Sequence, residues 1–164
     1  MKKPGIIARI KSAFALVKAL RLSAMEDDRG AYDSIREVYR LLGMTPPSEA
    51  VGPVKNLTYA SIAWRVDRVD AYAACEFVLH QLRDRAENGQ LKPESLYLMY
   101  YVKAILIQIS ADQFPGTIKL ARSINLNVDD IEIENAPRWI KRRFPMTFEL
   151  GRSLDAYLER QPTS

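Results

Sequence analysis

Residues 96–111 read LYLMYYVKAILIQISA and form the most apolar stretch of the chain. Pro93 precedes it, close to where a helix commonly begins. Lys103, Gln108 and Ser110 are its only strongly polar residues, so a helix here is apolar nearly all round and should be central. With 16 residues and a lysine in the middle, it is too short and too charged for an ordinary bilayer span. The stretch therefore predicts the core helix of a helical protein.

The segment on the N-terminal side of this helix, residues 56–88, contains neither Pro nor Gly. The sequence Val-Asp-Arg-Val-Asp at 66–70 breaks the apolar period of a helix, and Asp67 or Asp70 can cap a new one. We therefore predict two helices that meet near residues 66–70.

A further helix is predicted over residues 28–42. Asp27 or Asp28 can cap its first turn, and Gly43 can end it in a left-handed turn. Its inward stripe is predicted to be Ile35, Val38, Tyr39 and Leu42.

The C-terminal part of the chain also reads as helical. After Pro115 and Gly116 we predict a short helix to about Ile124, and then helices over 138–144 and 147–161. Strict alternation of apolar and polar residues occurs only at 131–134, which is too short to build a sheet. The predicted class is all-α, in a single domain over residues 1–164 with about six to eight helices.

Residues 30–47 carry a pattern of glycine, aromatic, aliphatic and proline positions, namely Gly30, Tyr32, Ile35, Tyr39, Leu42, Pro46 and Pro47. The spacing resembles the second helix of a tetratricopeptide (TPR) hairpin, although Ile35 and Leu42 replace small residues of that family. Ala73 and Phe77 repeat Ile35 and Tyr39 after 38 residues, against a family repeat of about 34. The resemblance implies antiparallel helical hairpins with a groove for a peptide or partner protein. The alternatives are thus a TPR-like array and an irregular helical bundle.

The positive charge is concentrated at the N-terminus. Residues 1–25 contain no acid and six basic residues, namely Lys2, Lys3, Arg9, Lys11, Lys18 and Arg21. Because the whole chain has a formal charge of +4, the remaining residues carry −2. A basic segment is therefore attached to a mildly acidic body.

The same segment has the apolar period of an amphipathic helix over 6–23. One face collects Ile6, Ile10, Ala13, Val17 and Leu20, with Ile7, Phe14 and Leu16 beside them and Lys11, Ser12 and Lys18 opposite. We first expect this apolar face to be buried against the body. The alternatives are that the helix lies on an anionic membrane surface, or that its charges attract an acidic protein or nucleic acid.

A second basic run consists of Arg138, Lys141, Arg142 and Arg143, and the acids Asp129, Asp130, Glu132 and Glu134 precede it. We expect the acids to neutralise the run, and Trp139 and Phe144 to dock a short helix on the core. The alternative is that arginines and aromatics hold single-stranded nucleic acid. Outside the two basic segments the chain contains 14 Lys and Arg residues and 20 Asp and Glu residues. Such a body repels nucleic acid, so this partner ranks below the others.

Few residues are candidates for chemistry. His80 is the only histidine, with Glu76 and Asp84 each four residues away. We interpret the three as a solvated helix face rather than a proton carrier or metal site. Cys75 lies on an apolar stripe and is expected to be a core thiol. No catalytic, cofactor-binding or metal-ligating residue is predicted.

These observations predict a non-catalytic protein-protein interaction module, such as an adaptor, a chaperone-like factor or a neutraliser of its partner. The alternative is a peripheral membrane or nucleic-acid binder that acts through the N-terminal helix and residues 138–143. The basic residues of both segments are the candidate contacts with an anionic partner. We expect no cofactor and no small-molecule substrate. The single cysteine favours a reducing compartment, so the predicted location is cytoplasmic, with membrane association under the second hypothesis.

Overall fold

The computed structural model describes residues 3–110, 116–144 and 158–161. Its regular elements are α1 (Ile6–Ala24), α2 (Asp28–Leu41), α3 (Pro53–Ala63), α4 (Arg68–Glu87), α5 (Ser95–Ser110), α6 (Thr117–Arg122) and α7 (Arg138–Arg143), with 3₁₀ turns at Val128–Asp130 and Ile133–Asn135. Within these ranges no residue belongs to a strand. The all-α prediction is therefore confirmed.

The apolar stretch forms α5, the central helix. Twelve of its 16 residues are buried, and it packs against α3, α4 and α6. The buried Lys103 donates hydrogen bonds from Nζ to the backbone carbonyl oxygens of Ile124, at 3.3 Å, and Leu126. These carbonyls satisfy an ammonium group that would be costly to bury without partners. The predicted core helix is confirmed, and none of the described helices is long and apolar enough to cross a membrane.

The predicted break between two helices at residues 66–70 is also confirmed. The Asp67 side chain caps α4, accepting a hydrogen bond from the backbone N–H of Asp70 at 3.1 Å. The helix before the break starts earlier than predicted, because Pro53 occupies its first position, where proline's missing N–H costs nothing.

The start and end of α2 follow the predicted signals. Asp27 is the cap, and its Oδ1 accepts a hydrogen bond from the backbone N–H of Gly30 at 2.9 Å. A Cβ at residue 30 would collide with the Asp27 carboxylate, so this glycine keeps the cap in place. After Leu41, Gly43 adopts a φ of +69°, the left-handed turn expected of it.

Asn56 is a fully buried polar residue of α3 that joins this helix to three other segments. Its Oδ1 accepts hydrogen bonds from the Tyr39 hydroxyl at 2.8 Å and the Ser48 backbone N–H at 3.1 Å. Its Nδ2 donates to the Ser48 carbonyl oxygen at 2.9 Å and to Gln81 Oε1 at 3.0 Å. The amide therefore uses its full bonding capacity to hold α2, α3, α4 and the loop of residues 42–52 together.

A second polar cluster lies around Asp70. Its Oδ2 accepts hydrogen bonds from the hydroxyls of Tyr32, at 2.5 Å, and Tyr59, at 2.6 Å. Burial, together with the hydrogen bond to this carboxylate, raises the pKa of Tyr59. The cluster ties α2 and α3 to the first turn of α4.

Two helical pairs precede the central helix, since α1 packs mainly on α2 and α3 mainly on α4. Short connections between extensively packed helices make each pair an antiparallel hairpin.

Of the helix predicted over 147–161, residues 147–157 lie outside the described residues, and Leu158 and Glu159 are helical. The Arg122 guanidinium donates hydrogen bonds to the carbonyl oxygens of Leu158 and Gln161, at 3.0 and 2.7 Å.

Cys75 lies in the core, as predicted, with no exposed surface. Burial raises the pKa of its thiol well above the ordinary value. Because the thiolate is the nucleophile, we expect the folded protein not to react with Ellman's reagent at pH 8. In guanidinium chloride the single cysteine should form a mixed disulfide with the reagent and release one equivalent of thionitrobenzoate. Rapid reaction of the folded protein would contradict the buried position.

Candidate functional site

Five large apolar side chains of α1 face solvent. Their exposed fractions are 76% for Ile6, 68% for Ile7, 54% for Ile10, 72% for Phe14 and 63% for Val17. We call these five residues the outer face of α1. They belong to the face expected to be buried, so that expectation is wrong for these five residues, whereas Leu16 and Leu20 of the same set are half-buried.

The helix packs on α2 through a different side. Ser12 and Ala19 are buried there, and Ala15 and Leu16 are half-buried against the core. At about 100° per residue these positions lie opposite the outer face. Their mostly small side chains allow a close approach of the two helices. The Ser12 hydroxyl donates to the carbonyl oxygen of Arg9 at 2.8 Å, so its burial leaves no unpaired donor.

Basic side chains border the outer face. The described bases of the segment are all exposed, namely Lys3, Arg9, Lys11, Lys18 and Arg21, and Lys2 lies outside the described residues. The helical period places Lys11 and Lys18 along one edge of the outer face and Arg9 beyond the other. Within the described chain, none of these side chains forms an ion pair. The structure thus combines an apolar strip with unneutralised positive borders.

A cleft of about 490 Å³ lies beside the first half of α1. Its apolar wall includes Leu16 of α1, Leu42 at the end of α2, and Met44 of the following loop. Three bases also line it, namely Lys3, Arg9 and Lys55, and none of the described residues around it is Asp or Glu. The cleft is therefore apolar on its wall and positive in charge.

Lys55 connects this cleft to the second basic run. The side chain is half-buried, and its pKa is lowered by desolvation and by the nearby Arg143 guanidinium. Arg143 is itself half-buried and donates from Nε to the Thr58 hydroxyl at 2.9 Å. Residues from the two basic segments, far apart in sequence, thus converge around Lys55.

The four predicted contacts in the second run have different surroundings. Arg138, Lys141 and Arg142 are exposed on α7, whereas Arg143 is bound to Thr58 on α3. Phe144 is buried and packs against the Tyr101 ring, with centroids 4.8 Å apart. Trp139 remains 44% exposed, so the expectation that both aromatics dock the helix holds for Phe144 only.

The described acids before this run form no ion pair with it, contrary to the expected neutralisation, and the Asp129 side chain lies outside the described part of the chain. Asp130 accepts a hydrogen bond from Asn127 at 2.6 Å, and Glu132 accepts one from Asn135. Lys141 Nζ donates to the backbone carbonyl oxygen of Glu134, at 2.8 Å, and not to its carboxylate. Among the described side chains no ion pair joins the two groups, and Asp130 and Glu132 are held instead by neighbouring amides.

His80 and Asp84, two of the candidates for chemistry, lie together on an exposed face of α4. His80 Nε2 lies 3.8 Å from Asp84 Oδ2, and both side chains are more than half exposed. The described residues contain no cluster of three His, Cys, Asp or Glu side chains that could hold a metal ion. The cleft was not predictable from the sequence, because its lining residues range from Lys3 to Lys55 and carry no local motif.

Comparisons with protein-family models, curated proteins and solved structures return no match for this chain. The tetratricopeptide resemblance of residues 30–47 therefore stays a prediction.

Proposed function

We propose that this protein is a non-catalytic interaction protein that docks on anionic membrane surfaces through the outer face of α1. The observation that carries the proposal is the exposure of five large apolar side chains, each more than half exposed, on one side of a 19-residue helix. Contiguous apolar surface of this kind marks interaction sites in folded proteins. The positive borders select a partner that is apolar within and negatively charged at its surface.

The energetics favour a membrane with anionic lipids. Apolar side chains gain free energy on leaving water, about 1.5–3 kcal/mol for full burial of a large one. Each base near an anionic bilayer adds about 1 kcal/mol. Lys11 and Lys18 can extend their long stems to keep the charge at the headgroups while the outer face enters the interface.

The convex shape of the outer face favours a membrane surface over the peptide-binding groove expected from the sequence. A peptide groove would be concave, but the outward side of a helix that packs mainly on α2 is convex. A second copy of the chain would bring two basic, acid-free segments together. Nucleic acid would engage the bases yet leave Ile6, Ile7 and Phe14 in water. The interface of an anionic bilayer both covers the apolar side chains and pairs the basic ones.

Co-sedimentation of the intact chain with vesicles tests the proposal. We expect binding to vesicles that contain phosphatidylserine, weaker binding as salt rises, and little binding to pure phosphatidylcholine. Absence from the anionic vesicle pellet at low salt would overturn the proposal. That result would favour instead a partner protein with an apolar groove bordered by acidic residues.

A further inference from the structure

The cleft beside α1 has two kinds of surface. Leu16, Leu42 and Met44 form an apolar wall, and Lys3, Arg9 and Lys55 add three positive charges. At about 490 Å³ it has the size of a small-molecule site.

The charges around this cleft are not balanced within the described chain. Lys3, Arg9 and Lys55 form no ion pair there. Lys55 also lies close enough to Arg143 for the two cations to repel each other. A half-buried ammonium group beside another cation is costly, and an anion bound in the cleft against Lys55 would reduce that cost.

We propose that the cleft binds one single-chain anionic amphiphile. Its carboxylate or phosphate head would lie among Lys3, Arg9 and Lys55, and its hydrocarbon chain along Leu16, Leu42 and Met44. A small free anion leaves the apolar wall in water, and an uncharged chain leaves the cations unpaired. The proposal does not rest on membrane docking, since the apolar wall of the cleft and the outer face lie on different sides of α1, with Arg9 between them.

Calorimetric titration of the intact protein with octanoate, below its micelle concentration, tests this site. We expect saturable binding of one octanoate, no binding of acetate, and at least about tenfold weaker binding of 1-octanol. Decanoate should bind more tightly than octanoate, by up to about fourfold per added methylene. Equal affinity for octanoate and 1-octanol, or none for octanoate, would overturn the proposal.

Substitutions locate the site. Lys55→Gln should weaken octanoate binding at least about tenfold, and the exposed Arg9→Gln should also weaken it without affecting folding. The matched control Lys119→Gln removes an exposed base on α6 and should leave the affinity unchanged. An equal loss in all three variants would show only a general charge effect, contrary to the proposal. Because Arg9 is exposed, this comparison remains decisive even if Lys55→Gln fails to fold.

The same titration separates this proposal from membrane docking. A variant of the outer face, Ile10→Glu with Phe14→Glu, should bind octanoate with unchanged affinity even though its binding to anionic vesicles is lost. Loss of octanoate binding in that variant would place the amphiphile on the outer face and overturn the cleft assignment. Lys55→Gln, in turn, should still pellet with anionic vesicles.

Discussion

Replacing Ile10 and Phe14 together by Glu should lower partition onto phosphatidylserine-containing vesicles by at least about 100-fold. The substitution removes two exposed apolar groups from the outer face and places two negative charges against an anionic surface. The exposed fractions of Ile10 and Phe14 are 54% and 72%, so the substitutions should leave the stability of the fold nearly unchanged. Vesicle co-sedimentation measures the partition, and thermal unfolding checks the fold.

The control carries the same chemistry at another place. Val69→Glu with Leu91→Glu also replaces two exposed apolar residues, 62% and 46% exposed, by acids. Its net charge equals that of the test variant, so any general electrostatic repulsion is the same. If both variants lose membrane binding equally, the outer face is not the docking site.

Replacing Asn56 by Ala should reduce the free energy of unfolding by about 3–5 kcal/mol. Asn56 makes four hydrogen bonds in the core, and its removal leaves the Tyr39 hydroxyl and the Ser48 backbone groups without these partners. Each buried polar group left unpaired costs about 1–3 kcal/mol. Urea denaturation should show a lower midpoint with an unchanged slope.

Two further variants identify the cause. Tyr39→Phe removes only the hydrogen bond between Tyr39 and Asn56 and should cost about 1 kcal/mol. Asn88→Ala makes the same change at an exposed residue that donates only to the carbonyl oxygen of Asp84, so it should cost less than about 0.5 kcal/mol. Similar losses for Asn56→Ala and Asn88→Ala would show that the buried amide does not hold the segments together.

The elements that follow local rules were predictable from the sequence. Asp27 and Asp67 cap their helices because a side-chain oxygen needs only a backbone amide three residues on. Gly43 turns left-handed because it has no Cβ to oppose a positive φ. The central position of α5 followed from an apolar surface nearly all round the helix.

The candidate site was only partly predictable. Its bases and its apolar residues were identified from residues 1–25, but the direction of the outer face was not. The side of α1 that packs inward has small residues such as Ser12 and Ala19, which a count of apolar residues ranks below Ile and Phe. Which side packs depends on how closely α2 can approach, and that is a property of both helices together.

By itself the sequence determined the helical class, the central helix, the helix ends and the concentration of charge at the N-terminus, since each depends on neighbours along the chain. The tertiary structure decided which side of α1 meets water and brought Lys3, Arg9 and Lys55 to one cleft. It also placed Arg143 against Thr58, 85 residues away. These features depend on packing between distant segments, where shape and close approach outweigh the apolar period of any single helix.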